Sequence, residues 1–369
     1  MPRQPADIPD AWLRLLLCED LGPRVAGQAL KHFGSAEEAV AASASEWAGV
    51  CQAARHRGAA VAAALRATSP ASERARMKHA GLFMVLLGDL DYPPLLSEID
   101  SPPLGLWVRG SMEATGPAPA AVVGARRATA YGLAQAARFA GALAEQGVPV
   151  VSGGARGIDA EAHRAALRAG GHTVAVLGCG LGTGPYPPEH GPLYQAIVEG
   201  GGVLLSEFPT DWPVLAANFP RRNRVIAGLS VGVLVVEAAV NSGALITARF
   251  CGEGKSAARK AWAVPGPVDS PRSEGCNRAI RDHLAECVLE PAHVLESLQT
   301  EGLYTVAGTR MKARERSASA AVPPALAQHK PAIEALLAAD PAADAEAIMH
   351  ATGLPPHLAQ AVRTLWGGG

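Results

Sequence analysis

Three arginines and an asparagine stand together in "NFPRRNRVIAGLS", Asn218 to Ser230, just ahead of an apolar run. Two more arginines, Arg126 and Arg156, follow short apolar runs and sit among glycines, in "VVGARRA" and "VSGGARGID". A planar guanidinium matches a phosphate with two parallel hydrogen bonds. Glycines let an anion approach backbone amides closely. The candidate binding set is therefore Gly124 and Arg126; Ser152, Gly153, Gly154, Arg156 and Gly157; Arg221, Arg222, Asn223 and Arg224; and Ser242 with Gly243 in "NSGALITA". Ser152 and Ser242 add hydroxyl donors. Plainer readings compete with this one. Arg126 and Arg156 could simply decorate the surface, and one of Arg221–Arg224 could be buried against a carboxylate. Asp159 reads as the N-cap of the following helix, and His163 as a helix-packing residue. Glu237 reads as a partner for an arginine such as Arg224, or else as a general base. Trp212 reads as packing, or as a surface for stacking a base.

The elements that must position these residues alternate regularly. "AAVVGAR", "VPVVSGG", "HTVAVLGCG", "GVLLSE", "VGVLVVEAA" and "AWAVPGP" are short apolar runs, each followed by a stretch of helical periodicity. Alternating strands and helices predict a mostly parallel sheet covered on both faces. The fold class is thus α/β, a Rossmann-like doubly wound domain over residues 115–300. Ligands of such sheets lie beyond the carboxyl ends of the strands. The glycine-bearing loops, including Gly178 to Gly182, are expected to share that edge, each leading into a helix whose first amides attract anions. Residues 1–75 read as a small helical domain, with "LGPRVAGQAL" as a helix-hairpin-helix turn or an ordinary bundle turn. Residues 76–114 read as a Pro-rich connector containing one short strand, "LGLWVRG". Residues 301–328 read as a flexible linker. Residues 329–369 read as a winged-helix-like module, with "ATGLPPHLAQAVRTL" as its turn and second helix and no room for a wing.

Charge and cysteine content narrow the function. There are 33 Lys and Arg against 34 Asp and Glu, a net charge of −1. A polyanion must then be held by a local patch, not by the field of the whole molecule. The 6 cysteines form no C-x-x-C pair and have no histidines at zinc spacing. No metal, cofactor or disulfide framework is expected, and a reducing, cytoplasmic setting is. No apolar stretch is long enough to predict a membrane span. The first strand–helix turn lacks the dinucleotide fingerprint, and no P-loop is present.

The stretches "VVGARRATAYG", "SGGARGIDAEAHRAAL", "TVAVLGCGLGTGPYPPEHGPLY", "LLSEFP", "FPRRNRVIAGLSVGVLVVEAAVNSGALITA" and "WAVPGP" closely resemble the bacterial DNA-processing DprA (Smf) family, over residues about 90–280. "DYPPLLSEIDSPPLGLWVRG" resembles the family's connector. The resemblance implies a non-enzymatic, homodimeric protein that binds single-stranded DNA, protects incoming strands during natural transformation and loads the RecA recombinase. Single-strand-binding protein is a further implied partner. The family's phosphate-contacting arginine falls on Arg126, its S-G-x-A-x-G-I-D loop on Ser152 to Asp159, and its R-N-R element on Arg222, Asn223 and Arg224. Pro188 stands where many relatives carry a basic residue, and "GCNRAIRDHLAE" departs from the family's apolar pattern. The rival reading is a nucleotide-processing enzyme of the phosphoribohydrolase type, kept alive by Glu237 ahead of Ser242-Gly243, although that class's P-G-G-x-G-T-x-x-E motif is absent.

Overall fold

In a computed structural model, residues 2–51, 57–252, 259–300, 336 and 345–352 are described. The chain divides into two compact units, Met1–Leu298 and Gln299–Gly369. The first is built on one nine-stranded sheet: β1 (Phe83–Leu86), β2 (Gly105–Gly110), β3 (Ala120–Val123), β4 (Val150–Ser152), β5 (Thr173–Leu177), β6 (Val203–Ser206), β7 (Gly232–Val235), β8 (Lys260–Ala263) and β9 (Glu286–Cys287). The order across the sheet is β1-β2-β6-β5-β4-β3-β7-β8-β9. From β6 to β9 every pairing is parallel, while β1–β2 and β2–β6 are antiparallel. The α/β, mostly parallel architecture is as the sequence predicts.

Both faces of the parallel strands are apolar because both are covered. Val123, Val151, Val176, Leu205 and Val235 pack with Val225 and Ile226 of α11 (Asn218–Leu229), Ala244 of α12 (Gly243–Arg249) and Cys276 of α13 (Glu274–Arg281). Ala175, Leu177 and Leu204 point the other way, toward Ala160 of α9 (Ile158–Arg168) and Leu193, Tyr194 and Ile197 of α10 (Gly191–Glu199). Helix α8 (Ala130–Glu145) begins where the Thr129 side chain accepts from the Gly132 amide, and it packs on α9.

Ahead of the sheet come α1 (Asp10–Leu17), α2 (Pro23–Phe33), α3 (Ala36–Ala41), α4 (Ala44–Val50), α5 (Gly58–Ala67) and α6 (Pro70–His79). Their boundaries follow from local chemistry. Pro23 and Pro70 open helices at positions that need no amide donor. Ser43 and Glu46 form a reciprocal capping box, and Gly34 at φ 87° ends α2. These helices enclose a core around Trp47, whose Nε1–H donates to the Ala39 carbonyl at 2.9 Å. They are not set apart from the sheet. Leu15 of α1 lies in the helical core, while Leu13 of the same helix packs with Met84 and Trp107 of the sheet.

One expectation needs correction. Residues 76–114 are not merely a connector, because β1 and β2 extend the sheet by two antiparallel strands. The short α7 (Pro94–Ser97) between them buries Leu96 in the sheet's core. The runs "FMVL" and "GLWVRG" are half hidden in sequence by the Pro-rich stretch separating them. The predicted linker over 301–328 lies outside the described residues. So does most of the C-terminal module, of which only Leu336 and a helix, α15 (Ala345–Thr352), are described; α14 (Pro291–Thr300) precedes them. No helix among the described residues is long and apolar enough to cross a membrane.

A buried carboxylate joins the helical region to the sheet. Glu73 of α6 is 0% exposed. It accepts from Trp107 Nε1 of β2 at 2.8 Å, from the Thr210 amide at 2.8 Å and from Thr210 Oγ1 at 2.7 Å. Its other oxygen pairs with Arg76 at 2.8 Å. Removing it strands buried donors on β2 and in the loop after β6 at once. Glu73→Ala should therefore lower unfolding stability by about 3 kcal/mol in urea titrations, with Glu73→Gln intermediate because an amide keeps one acceptor.

Candidate nucleic-acid interface

The strand order reverses between β3 and β7, and an open α/β sheet leaves a crevice at such a point. A cleft of about 610 Å³ lies there. Its floor is the end of β3, at Val123 and Gly124, and one wall is the start of α12, at Ser242, Gly243 and Ala244. The opposite wall is α11, at Phe219, Arg222, Asn223 and Ile226. Arg126, Ala155, Asp159 and Tyr186 complete the rim. Six of the thirteen predicted residues thus meet in one place: Gly124, Arg126, Arg222, Asn223, Ser242 and Gly243. The other seven do not line it.

The centre of the site is an anion that the chain supplies itself. Asp159 lies in the first turn of α9 and is 6% exposed. Its Oδ2 accepts from the Gly153 amide at 3.2 Å and the Ala155 amide at 3.4 Å, and the Gly124 amide also bears on the carboxylate. The N-cap position is held by Gly157, so Asp159 is not the predicted cap. Loop amides expected to receive a phosphate are occupied by this carboxylate. Arg222 faces it. Burial pushes the Asp159 carboxyl above its ordinary value, opposed by the charge of Arg222. Burial pushes the Arg222 guanidinium down, opposed by Asp159.

Arg222 is 4% exposed and is a scaffold more than a surface charge. Its Nη1 donates to the Gly153 carbonyl at 2.5 Å and to the Val176 carbonyl. Its Nε donates to Asn223 Oδ1 at 3.3 Å, and Asn223 Nδ2 donates in turn to the Gly243 carbonyl at 3.2 Å. One arginine therefore links the ends of β4 and β5 to the start of α12. Two glycines are needed for closeness rather than for a ligand. Gly157 has φ 75°, and a side chain there would strike the Ala125 carbonyl. At Gly124 it would stand 2.6 Å from Ile158.

Several predicted contacts are corrected by their partners. Ser152 is fully buried and donates to the Val122 carbonyl at 2.6 Å, so it offers nothing to a ligand. Gly153 and Gly154 are buried. The Gly154 carbonyl accepts from His190 Nδ1 at 2.9 Å and the Tyr194 hydroxyl at 3.0 Å. Arg156 is exposed but paired with Glu189. Arg224 pairs with Glu207 at 2.6 Å, not with Glu237, and Arg221 reaches the same carboxylate at 3.3 Å while lying over Phe208. Glu237 is 2% exposed and accepts from the Thr129 amide at 2.9 Å. Ser242 caps α12 by accepting from the Leu245 amide. Gly180 and Gly182 donate to the carbonyls of Trp212 and Thr210 at 2.9 and 2.8 Å, so the loop after β5 is packed against residues 209–212. Trp212 stacks on Phe208 and is packing.

What remains open to solvent is Arg126. It is exposed, has no carboxylate partner among the described residues, and stands 5.0 Å over the Phe219 ring. Tyr186 lies 5.9 Å from the same ring. Phe219 and Tyr186 were not anticipated. Phe219 is the residue just before Pro220 in "NFPRR", and its position on the first turn of α11 is the signal that marked it.

The comparisons with known proteins follow this geometry. The sequence matches the family model for DNA recombination-mediator protein A over residues 83–299. The chain belongs to that family. The match starts at the first residue of β1, so the family unit includes the two antiparallel strands. Among curated relatives it is similar to the protein Smf of Escherichia coli, 48% identical over 56% of this chain and 54% of that one. It is also similar to the DNA processing protein DprA of Streptococcus pneumoniae, 37% identical over 52% of this chain and 66% of that one. The chain spans about half the length of the first curated relatives it matches. The solved structure of the Streptococcus pneumoniae protein superposes with a TM-score of 0.66 at 29% identity, over 78% of this chain and 98% of that one. The structure of the Helicobacter pylori protein, described for its single-stranded DNA binding mode, superposes with a TM-score of 0.52 at 26% identity, over 59% and 96%.

His163 of α9 packs against the start of β5. It is 0% exposed and 2.7 Å from Thr173 Oγ1. Because Thr173 donates to the Val150 carbonyl, Nδ1 of His163 is the donor, and Nε2 is buried without a partner. Burial pushes its pKa down to about 3 from an ordinary 6.5. A depressed histidine pKa favours the neutral fold, so this contribution is complete above pH 6.5 and is lost as pH falls toward 3. Urea titrations should show stability falling below pH 6.5 by up to about 1.4 kcal/mol per pH unit from this group. The decline should flatten in His163→Gln.

Proposed function

We propose that this protein binds single-stranded DNA in the cleft between α11 and α12 and acts, without catalysing a reaction, as a recombination mediator. The observation that carries the reading is the Arg126 guanidinium, without a carboxylate partner among the described residues, poised over Phe219 at the mouth of an aromatic and aliphatic cleft. Family membership and the likeness to a structure described for single-stranded DNA binding support it. Flat bases suit a cleft walled by Phe219, Tyr186, Val214 and Ile226, and phosphates suit the arginine at its rim. Phosphate contacts position a strand without reading its sequence, so sequence preference should be slight.

The further parts of the reading are a homodimer in the cytoplasm that delivers RecA to single strands taken up in natural transformation, with single-strand-binding protein as another partner. The 1–75 helical region, the 301–328 linker and the 329–369 winged-helix-like module would serve that assembly. The hydrolase alternative draws no support from Glu237, which is buried beneath the start of α8. Gly228-Leu229-Ser230-Val231-Gly232 has the spacing of a nucleophile elbow, a match not anticipated above. It runs from helix to strand, the reverse of an elbow's order. Ser230 is fully buried and donates to the Ile226 carbonyl at 2.9 Å.

Arg126→Ala should weaken oligo-dT binding by about tenfold and make the dependence of log K on log salt shallower by about 0.7, as for one lost phosphate contact on a single strand. Fluorescence anisotropy at several salt concentrations measures both. An Arg126→Ala chain that folds and binds as tightly as wild type would overturn the site.

A further inference from the structure

The cleft makes use of Arg126 and leaves two neighbouring arginines without a role. Arg127 follows it in the loop after β3, with its side chain exposed. Arg272 lies in the loop between β8 and α13, and its Nη1 donates to the main-chain carbonyl of Arg127. Three more contacts fasten the same loops together. The Tyr131 hydroxyl donates to the Pro265 carbonyl at 2.7 Å, the Gly275 amide to the Ala238 carbonyl at 2.8 Å, and the Ala125 amide to the Glu237 carbonyl at 2.8 Å. The loops after β3, β7 and β8 therefore form one rigid lip.

Ion pairing distinguishes these three from four arginines of neighbouring segments. Arg156, Arg221, Arg224 and Arg278 each hold a carboxylate. Arg126, Arg127 and Arg272 hold none among the described residues. The carboxylates nearest in the Arg272 loop are Asp269, which is exposed, and Glu274, which is bound to Arg278 at 2.5 Å. In a chain of nearly balanced charge, three arginines carried on the joined loops after β3 and β8 are left to meet an outside anion. Since β8 lies on the far side of β7 from β3, these arginines lead away from the cleft across the end of β7.

We infer that Arg127 and Arg272 continue the DNA track beyond the cleft, so that a strand seated at Arg126 lays its following phosphates over the lip of the loop after β8. This rests on the cleft reading above. It predicts a length dependence that the cleft alone does not. Labelled oligo-dT of about 6 and about 20 nucleotides brackets the two cases. Arg126→Ala should weaken both. Arg272→Ala should leave the short strand unaffected and weaken the long one about 3- to 10-fold, with a salt slope shallower by about 0.7. Arg272→Lys should recover most of the loss, because the charge carries the contact. Arg127→Ala, which keeps the main-chain carbonyl, should repeat the long-strand effect and serves if Arg272→Ala does not fold.

Equal weakening of both lengths by Arg272→Ala would mean that it only props the loop, and would overturn the inference. So would long-strand binding unchanged in Arg272→Ala and Arg127→Ala, or an Arg272→Lys chain as weak as Arg272→Ala. If Arg126→Ala binds both lengths normally while Arg272→Ala fails on the long one, the cleft reading falls and the lip stands. A wild-type chain that binds neither length overturns both.

Discussion

Everything at the switch point depends on one buried carboxylate satisfied from within. Asp159 draws amides of the loops after β3 and β4 toward a single oxygen pair, with Arg222 facing it. Two buried ions of opposite sign tolerate their desolvation only while both are present and well bonded. The loop geometry is consequently stiff before any ligand arrives. It also means that the glycine-rich loops are not an empty anion nest. The Gly153 and Ala155 amides are engaged by the carboxylate, and what projects beyond them is the Arg126 guanidinium over the Phe219 ring.

The same economy of charge runs through the rest of the molecule. Glu73, Glu207 and Glu189 each quench one or more cations, and each does so where two elements meet. Glu73 anchors the amino-terminal helices to β2 and to the segment that leads into α11. Glu207 holds α11 itself through Arg224. Several arginines are thus structural in a chain of near-zero net charge.

A helix-hairpin-helix reading of residues 21–30 is neither needed for nor opposed by this arrangement. Their helix α2 begins at Pro23 and buries Ala26 and Ala29 within the helical core. The deeper consequence of those helices lies in how they are mounted, since α1 shares its faces between their core and the sheet.

The alternation of short apolar runs with helical periodicity was enough, read from the sequence alone, to determine the parallel α/β sheet and which loops share its carboxyl edge, because both depend on local spacing and chain direction. It also marked Arg126, Arg222, Asn223 and Gly243, which do converge. It was silent on which arginines are already paired. Glu207 lies 17 residues from Arg224 and Glu189 lies 33 from Arg156. Residue type and spacing carry no record of such encounters. "LGLWVRG" read as a strand, but β1 and the antiparallel joining of both to the sheet escaped for a related reason, since an antiparallel strand finds its partner across a Pro-rich gap and only then becomes buried. Tertiary structure decided the availability of each charge, because a guanidinium's function depends on whether a carboxylate or solvent occupies the few ångströms around it.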